Sequence, residues 1–252
     1  MSLQLQGTTD YINVSRGTIP GASSVFISGY NPGVASGDTT VWNETTTLVA
    51  YPASAATVTV SSGSANDTSN GTGARTVSIS GLDGSFNTIT ETVTLNGQTA
   101  VTTTNSFYRF NLLTVLTAGS GGVNAGVIYV GTGALTSGKP ATIYDSIGVG
   151  FNTCQTAIYT VPANSTAYFL GGGFSSDQSA TATPNNVTVK LLTRANGGLF
   201  LTQRLYVGDG VIVPSLLPAS LPAGTDIQIR VNTPASTAIV TVEFELLLIT
   251  SD

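Results

Sequence analysis

The chain has 252 residues, of which 41% are hydrophobic and only 8% are charged, and its formal net charge is −5. A typical soluble domain has roughly 25% charged residues, so this composition indicates either a surface partly covered in an assembly or a Thr- and Ser-rich β-protein kept soluble by hydroxyl groups. The eight Lys and Arg residues are scattered, so we expect no direct nucleic-acid binding. The absence of histidine excludes Ser-His-Asp and Cys-His nucleophilic catalysis.

The first 44 residues predict an N-terminal arm or an edge element rather than a domain. Their start, "MSLQLQGTTDY", has neither the basic nor the apolar region of a signal peptide. Val25, Phe26 and Ile27 are consistent with a short strand, and the sequence "YNPG" from Tyr30 predicts a turn. The arm ends near Trp42, the single tryptophan. No apolar run of the chain approaches the ~20 residues of a membrane span, so we expect no membrane association.

Residues 45–136 predict a compact antiparallel module. Apolar and polar residues alternate with period two between turn-forming residues, and helical periodicity is absent, which predicts an all-β fold. The polar loop at residues 62–73 is expected to be exposed and mobile. The predicted strands are 56–61, 75–80, 88–95, 98–103, 107–116 and 126–130.

The sequence "ETVTLNGQTAV" at residues 91–101 predicts a β-hairpin, because Asn96 and Gly97 suit a tight turn between two alternating segments. Glu91 interrupts the apolar row of the first strand. A lone buried carboxylate is costly, so a buried Glu91 needs a cationic partner. Arg75 and Arg109 are the candidates for a buried charge pair with it.

Residues 131–142 are rich in Gly, Ser and Pro, and they predict a linker with a domain boundary near residue 137. Residues 137–252 then form a second module, and both modules are expected to be antiparallel β-sandwiches or jelly rolls. The last strand is apolar on both faces at Leu247 and Ile249, so the first module, the arm or another subunit should cover it. The predicted strands are 155–161, 166–171, 186–193, 199–207, 226–232 and 238–249.

Candidate chemistry is sparse. Glu243 and Glu245 lie two residues apart on one strand face, roughly 6.5–7 Å between Cα atoms, which is compatible with a glycosidase pair but more typical of two solvated glutamates. The sequence "DGSFN" from Asp83 faintly resembles the start of a calcium loop and is more typical of a turn. The single cysteine, Cys154, excludes an intrachain disulfide framework. We therefore expect no catalytic, cofactor-binding or metal-binding residues and no enzyme activity.

One long run and several shorter segments carry a resemblance to a known family. The run is "VSISGLDGSFNTITETVTLNGQTAVTTTNSFYRFNLLTV", which starts at Val77. The segments are "SGYNPGV" with the following Trp42, "AGVIYVGTG", "TAIYTVPANSTAYF" and "GGLFLTQRL". Together they resemble virion structural proteins of tailed bacteriophages, especially those of marine and cyanobacterial phages, over nearly the whole chain.

The resemblance implies a non-enzymatic decoration or cement protein on the outer surface of the capsid, assembled in the cytoplasm of the host bacterium. Its implied partners are the major capsid protein of the same phage and further copies of itself in a homotrimer. The alternative is a tail, knob or head-fibre component that contacts the host surface by binding a glycan or a receptor. A carbohydrate-active enzyme and a cell-surface adhesin fit less well. The predicted assembly interface consists of Val25, Phe26, Ile27, Tyr30, Trp42, Leu247 and Ile249.

Overall fold

The computed structural model describes residues 8–34, 36–44, 46–178, 187–208, 210–214, 219–233 and 238–251. Strands account for 58% of the chain and helix for 3%, which confirms the all-β prediction. The described helix is α1 (Thr8–Ser15). The described strands are β1 (Ala22–Val34), β2 (Thr39–Thr40), β3 (Thr59–Ser62), β4 (Ala74–Leu82), β5 (Thr88–Thr94), β6 (Val101–Thr102), β7 (Arg109–Ala118), β8 (Ile128–Thr136), β9 (Lys139–Ile147), β10 (Ile158–Thr160), β11 (Ser165–Gln178), β12 (Val187–Arg194), β13 (Leu201–Gly208), β14 (Gly210–Pro214), β15 (Ser220–Leu221), β16 (Asp226–Asn232) and β17 (Ala238–Thr250).

Two antiparallel sheets form a first sandwich. Their strand orders are β6-β3-β8-β9 and β5-β4-β7. Side chains from both sheets meet in one core, in which Val60 and Ile128 of the first sheet pack with Ile79 and Leu113 of the second. The alternation seen in the sequence produces this arrangement, because every second residue of each strand faces the opposite sheet.

A second sandwich contains the remaining strands. One of its sheets has the order β1-β17-β11-β14, with β15 also paired to β11, and the other has the order β10-β16-β12-β13, with β2 paired to β16. Its core combines Ile27 and Phe244 of the first sheet with Val189 and Ile229 of the second.

The described part of residues 1–44 is not a free arm, and its strand β1 lies at the edge of a sheet, as the predicted edge element would. Strand β1 pairs along its length with β17, so that Ile27 lies opposite Phe244. Strand β2 pairs with β16 in the other sheet. Trp42 is 1% exposed, and its Nε1 donates a hydrogen bond to the carbonyl oxygen of Thr47 at 2.9 Å. Residues 1–7 of the predicted arm lie outside the described residues.

The "YNPG" sequence does not form the predicted turn. It lies within β1, where a register shift between Asn31 and Val34 accommodates Pro32 beside β17. Pro32 has no backbone N–H, and such a residue is tolerated at an irregularity of a sheet edge. Helix α1 was also not predicted, because eight residues present too short a pattern for helical periodicity to be recognised.

The predicted linker at residues 131–142 is a hairpin. It joins β8 to β9, and Leu135 lies opposite Pro140 with irregular pairing between Thr132 and Leu135. The irregular pairing and the Gly and Pro residues obscured the alternation on which strand recognition depends. Strand β9 therefore extends the first sandwich beyond the predicted boundary at residue 137, and that sandwich is inserted between β2 and β10 of the second.

The predicted hairpin at residues 91–101 is instead a crossing between two sheets. Strand β5 pairs with β4, whereas β6 pairs with β3 in the facing sheet. The turn itself is present, because Gly97 has φ 59° and Thr99 N donates to Asn96 O at 3.1 Å. Gly97 also bonds through its backbone to Ser62 and Asp67, which directs the chain away from β5.

Candidate functional site

A buried cluster of charges connects the two sandwiches. The carboxylate of Asp226 on β16 is fully buried. Its Oδ1 accepts bonds from Arg109 Nε at 2.8 Å and Thr160 Oγ1 at 2.6 Å, and its Oδ2 accepts bonds from Arg109 Nη2 at 3.2 Å and Arg194 Nε at 2.7 Å. Because Arg109 belongs to β7 of the first sandwich, the cluster crosses the boundary between the two.

Aromatic rings separate the arginines of this cluster. The guanidinium carbon of Arg109 lies 3.9 Å from the ring centre of Tyr108 and 5.1 Å from that of Tyr51. The guanidinium carbon of Arg194 lies 4.4 Å from the ring centres of both Tyr51 and Phe200. Stacking of this kind holds each cation in place without neutralising its charge.

A third arginine, Arg230, is half-buried and adds a further cation to the series of arginines and aromatic rings. The guanidinium carbon of Arg230 lies 4.7 Å from the ring centre of Phe200, and its Nε donates to Gln228 Oε1 at 2.6 Å. Partial burial lowers the pKa of Arg230. Burial likewise raises the pKa of Tyr51, whose hydroxyl has no hydrogen-bond partner among the described residues. We call Tyr108, Arg109, Tyr51, Arg194, Phe200 and Arg230 the arginine–aromatic stack.

Strand β13 forms an apolar edge beside the stack. It is the last strand in the order β10-β16-β12-β13. Lys190 of β12 lies between Leu205 of β13 and Arg230 of β16 in the register of this sheet. The exposed fractions at the edge are 84% for Leu199, 61% for Leu201, 54% for Leu205 and 55% for Val207. We call these four residues the β13 edge.

The outer face of the other sheet carries acidic residues. Glu243 and Glu245 on β17 are both exposed, and Phe26 of β1 lies opposite Glu245 and is 59% exposed. Phe26 also borders a groove of about 520 Å³ that Leu112 and Tyr159 help to line. Phe26 is thus an exposed aromatic ring directly opposite one of the two glutamates in the register of β1 and β17.

The predicted charge partners are not brought together. Both carboxylate oxygens of Glu91 accept backbone N–H groups, from Thr104 at 2.7 Å and from Asn105 at 2.8 Å. Arg75 Nε donates to a backbone carbonyl, and Arg109 pairs with Asp226. The prediction was wrong because backbone N–H groups satisfy the partly exposed carboxylate of Glu91, which therefore needs no cation. The carboxylate that pairs with Arg109 comes from the other sandwich, and nothing in the sequence near Arg109 indicates it.

Most of the predicted interface residues lie inside the protein itself. Ile27, Trp42 and Leu247 are buried, Val25, Tyr30 and Ile249 are half-buried, and Phe26 is exposed. Leu247 and Ile249 pack against Val14 of α1 and Ile19, so the N-terminal segment covers the apolar end of β17. Of the seven, Phe26 alone presents a largely exposed side chain to a partner.

Sequence reasoning missed two buried carboxylates. Asp67 is fully buried within the loop that was expected to be exposed, and it accepts backbone N–H groups from Ala74, Ala125 and Gly126. Asp145 on β9 is 1% exposed, and its Oδ1 accepts a hydrogen bond from Thr156 at 2.6 Å. Burial raises the pKa of Asp145 to about 7. Nothing in the local sequence distinguishes either residue from an exposed aspartate.

The other candidate ligands give no site. Asp83 accepts the backbone N–H groups of Ser85 and Asn87, as a turn residue does. Within the part of the chain that the structure describes, no three Asp, Glu, His or Cys residues are grouped as metal ligands would be. The described helix is not of the length and apolarity that would cross a membrane.

No protein-family model and no curated protein matches the chain. A solved structure with some similarity is a mutant VP2 protein of infectious bursal disease virus in derived T=1 particles. The two sequences are 12% identical, the match covers 91% of this chain and 70% of that one, and the TM-score is 0.21. At that TM-score a common fold is not demonstrated.

Proposed function

We propose that this protein is a non-enzymatic structural component of a tailed-bacteriophage virion, and specifically a decoration protein that binds the major capsid protein on the outer surface of the head. The resemblance of the long run from Val77, together with the low charge of the chain, supports the proposal. The structural observation that carries it is the β13 edge, because an exposed apolar strand edge needs a neighbouring subunit to cover it.

As far as the chain is described, the outward side chains of the β13 edge include none of the charges or prolines that protect a sheet edge. Soluble proteins place charges or proline on such strands to prevent pairing with other chains. The cation on β13 is Arg204, and its guanidinium carbon lies 5.1 Å from the ring centre of the buried Phe169, so it is turned toward the core. Leu205 and Val207 remain exposed on the outer face. An isolated monomer would gain nothing from this surface, whereas an assembled protein buries it.

The joined sandwiches suit a decorating role mechanically. The Asp226 cluster fixes the two sandwiches to each other, and a rigid body that touches two capsid subunits resists their separation. The described part of the N-terminal segment does not suit a free clamp, since β1 is an integral strand of the second sandwich. We therefore assign capsid contact to outer surfaces of the sandwiches.

Electron cryomicroscopy of the intact particle tests the proposal directly. Density for this protein repeated over the capsid lattice is the expected result. Density confined to the tail or to one vertex would overturn decoration and favour contact with the host, for which binding to a glycan array is the next measurement. Absence of the protein from purified particles would overturn a virion role altogether.

A binding assay with heads that lack the protein adds residue-level detail. Leu205→Lys with Val207→Lys should abolish co-sedimentation with such heads, because two charges would have to be buried at the contact. The matched control is Leu116→Lys, which changes an exposed leucine of the first sandwich. Unchanged binding by the β13 variant would exclude this edge from the contact, provided that circular dichroism shows the variant folded.

A further inference from the structure

The outer face of the β10-β16-β12-β13 sheet concentrates positive charge in an acidic protein. Strands β12 and β16 of this sheet carry three of the eight Lys and Arg residues of the chain, and Arg109 of β7 reaches the buried Asp226 of the sheet from the first sandwich. Two carboxylates accompany them, Asp226 in the buried cluster and Asp38 in an ion pair with Lys190 at 2.8 Å. The four cations are Arg109, Arg194, Arg230 and Lys190. The face therefore carries an excess of two positive charges.

Two of these arginines keep unused donors. Arg194 donates through Nε to Asp226, and Arg230 donates through Nε to Gln228. The terminal Nη groups of both have no partner among the described residues, and both guanidinium groups are held against Phe200. A guanidinium group fixed in this way is suited to a planar carboxylate, which accepts two parallel hydrogen bonds from it.

The surroundings indicate that the carboxylate belongs to a protein. Phe200 lies against both guanidinium groups, and its ring is only half-buried. A small free anion would leave this apolar surface in water, whereas a protein surface with acidic and apolar side chains would bury it and meet the arginines together.

The chain itself presents such a surface on the opposite side of the same sandwich. Glu243 and Glu245 project from the outer face of β17 and have no ion-pair partner among the described residues. Phe26 and Ile239 are exposed on the same strand pair, at 59% and 42%. The two faces therefore have opposite charge, and each places an aromatic ring, Phe200 or Phe26, beside its charged groups.

We propose that the Arg194–Arg230 face of one molecule binds the Glu243–Glu245 face of a second copy of this chain. The two faces lie on opposite sides of one sandwich, so they cannot meet within a molecule. The contact is head-to-tail and leaves one face of each kind open, which allows a ring or a continuing chain of copies. The proposed function assigns no partner to the Arg194–Arg230 face, and this inference assigns it a second copy of the chain. It rests on the proposed function only in placing the contact on a virion.

Sedimentation velocity of the purified protein at increasing concentration and two salt concentrations tests the contact. Wild-type protein should sediment as species larger than a monomer at low salt, and these should dissociate as salt screens the charges. Arg230→Glu alone, or Glu243→Arg with Glu245→Arg, should give monomers. A chain that carries all three reversals should associate again, because complementarity is restored. Lys139→Glu, an equal charge change at a residue of the first sandwich whose side chain is 48% exposed, should associate as wild type does.

Three outcomes would overturn the inference: a monomeric wild type at every concentration, association unaffected by either reversal, or no recovery when the reversals are combined. Arg230→Glu alters a half-buried residue, so thermal unfolding must show that it folds. If Arg230→Glu does not fold, the variant with Glu243→Arg and Glu245→Arg still tests the contact, because both glutamates are exposed. This result is independent of the virion proposal, because the purified protein is measured without any particle. Electron cryomicroscopy of the particle tests decoration, whereas sedimentation velocity of the purified protein tests self-association.

Discussion

Arg109 Nε lies 2.8 Å from Asp226 Oδ1, and the side chains of both residues are at most 3% exposed. Arg109 comes from β7 of the first sandwich and Asp226 from β16 of the second. A buried ion pair contributes little net stability, because desolvation of both groups offsets their attraction. Its geometry instead favours one orientation of the two sandwiches, because Arg109 is buried and would lose its counter-charge if they moved apart.

Removal of the carboxylate should therefore be costly. Asp226→Asn leaves two arginines in a poorly solvated site with no counter-charge, and we expect the free energy of unfolding to fall by about 3–5 kcal/mol. Urea denaturation measures the change. The matched control is Asp38→Asn, which breaks the more exposed pair with Lys190 and should cost about 0–1 kcal/mol. Equal effects of the two variants would contradict a structural role for the buried cluster.

Adjacent residues of β1 distinguish a structural strand from a loose arm. Ile27 is 6% exposed in the core of the second sandwich, whereas Phe26 is 59% exposed. Ile27→Ala should lower the free energy of unfolding by about 2–5 kcal/mol through lost burial and a cavity. Phe26→Ala should change it by no more than about 0.5 kcal/mol. If thermal and urea unfolding find both variants neutral, β1 does not contribute to the fold.

Asp67 should be essential to the loop that contains it. Asp67→Ala leaves three backbone N–H groups buried without acceptors, at about 1–3 kcal/mol for each unsatisfied group. Hydrogen exchange should show that the amides of Ala74, Ala125 and Gly126 lose protection. Asp83→Ala, which removes a comparable but exposed turn carboxylate, should leave those amides protected. Retained protection in the Asp67 variant would mean that the loop is held by other contacts.

Asp145 should make stability depend on pH. Burial raises its pKa from 3.8 to about 7 in the folded protein. The folded state therefore holds a proton between about pH 4 and pH 7 that the unfolded state has released, so the stability due to this group is complete below pH 4 and lost as pH rises to about 7. Each pKa unit corresponds to about 1.4 kcal/mol, so a loss of roughly 2–4 kcal/mol is expected.

Urea unfolding at several pH values measures this effect. Asp145→Asn keeps the size of the side chain and an oxygen acceptor, and its stability should lack the fall that the wild type shows across this range. Asp83→Asn is a control of opposite sign, because the hydrogen bond from Asn87 lowers the pKa of Asp83 and its contribution is lost on acidification. Parallel pH profiles for wild type and Asp145→Asn would show that Asp145 is ionised throughout.

The predicted strands agree well with the structure where the alternation is regular. The segment 226–232 coincides with β16, and 238–249 falls one residue short of β17. Predictions failed where Gly, Pro or a bulge hides the alternation, as in β1 and β9. At Asn96 and Gly97 the predicted turn is present, but the two strands that flank it pair with other strands and not with each other.

The sequence by itself determined the all-β class, most strand positions and the absence of histidine chemistry. These follow from composition and from a period of two, which are local properties of the chain. The tertiary structure alone decided that β1 pairs with β17, that the first sandwich is inserted into the second, and that Arg109 and Arg194 meet at Asp226. Pairing between strands and between charges joins residues over a hundred positions apart, and the local pattern of a strand carries no information about which edge or charge it will meet.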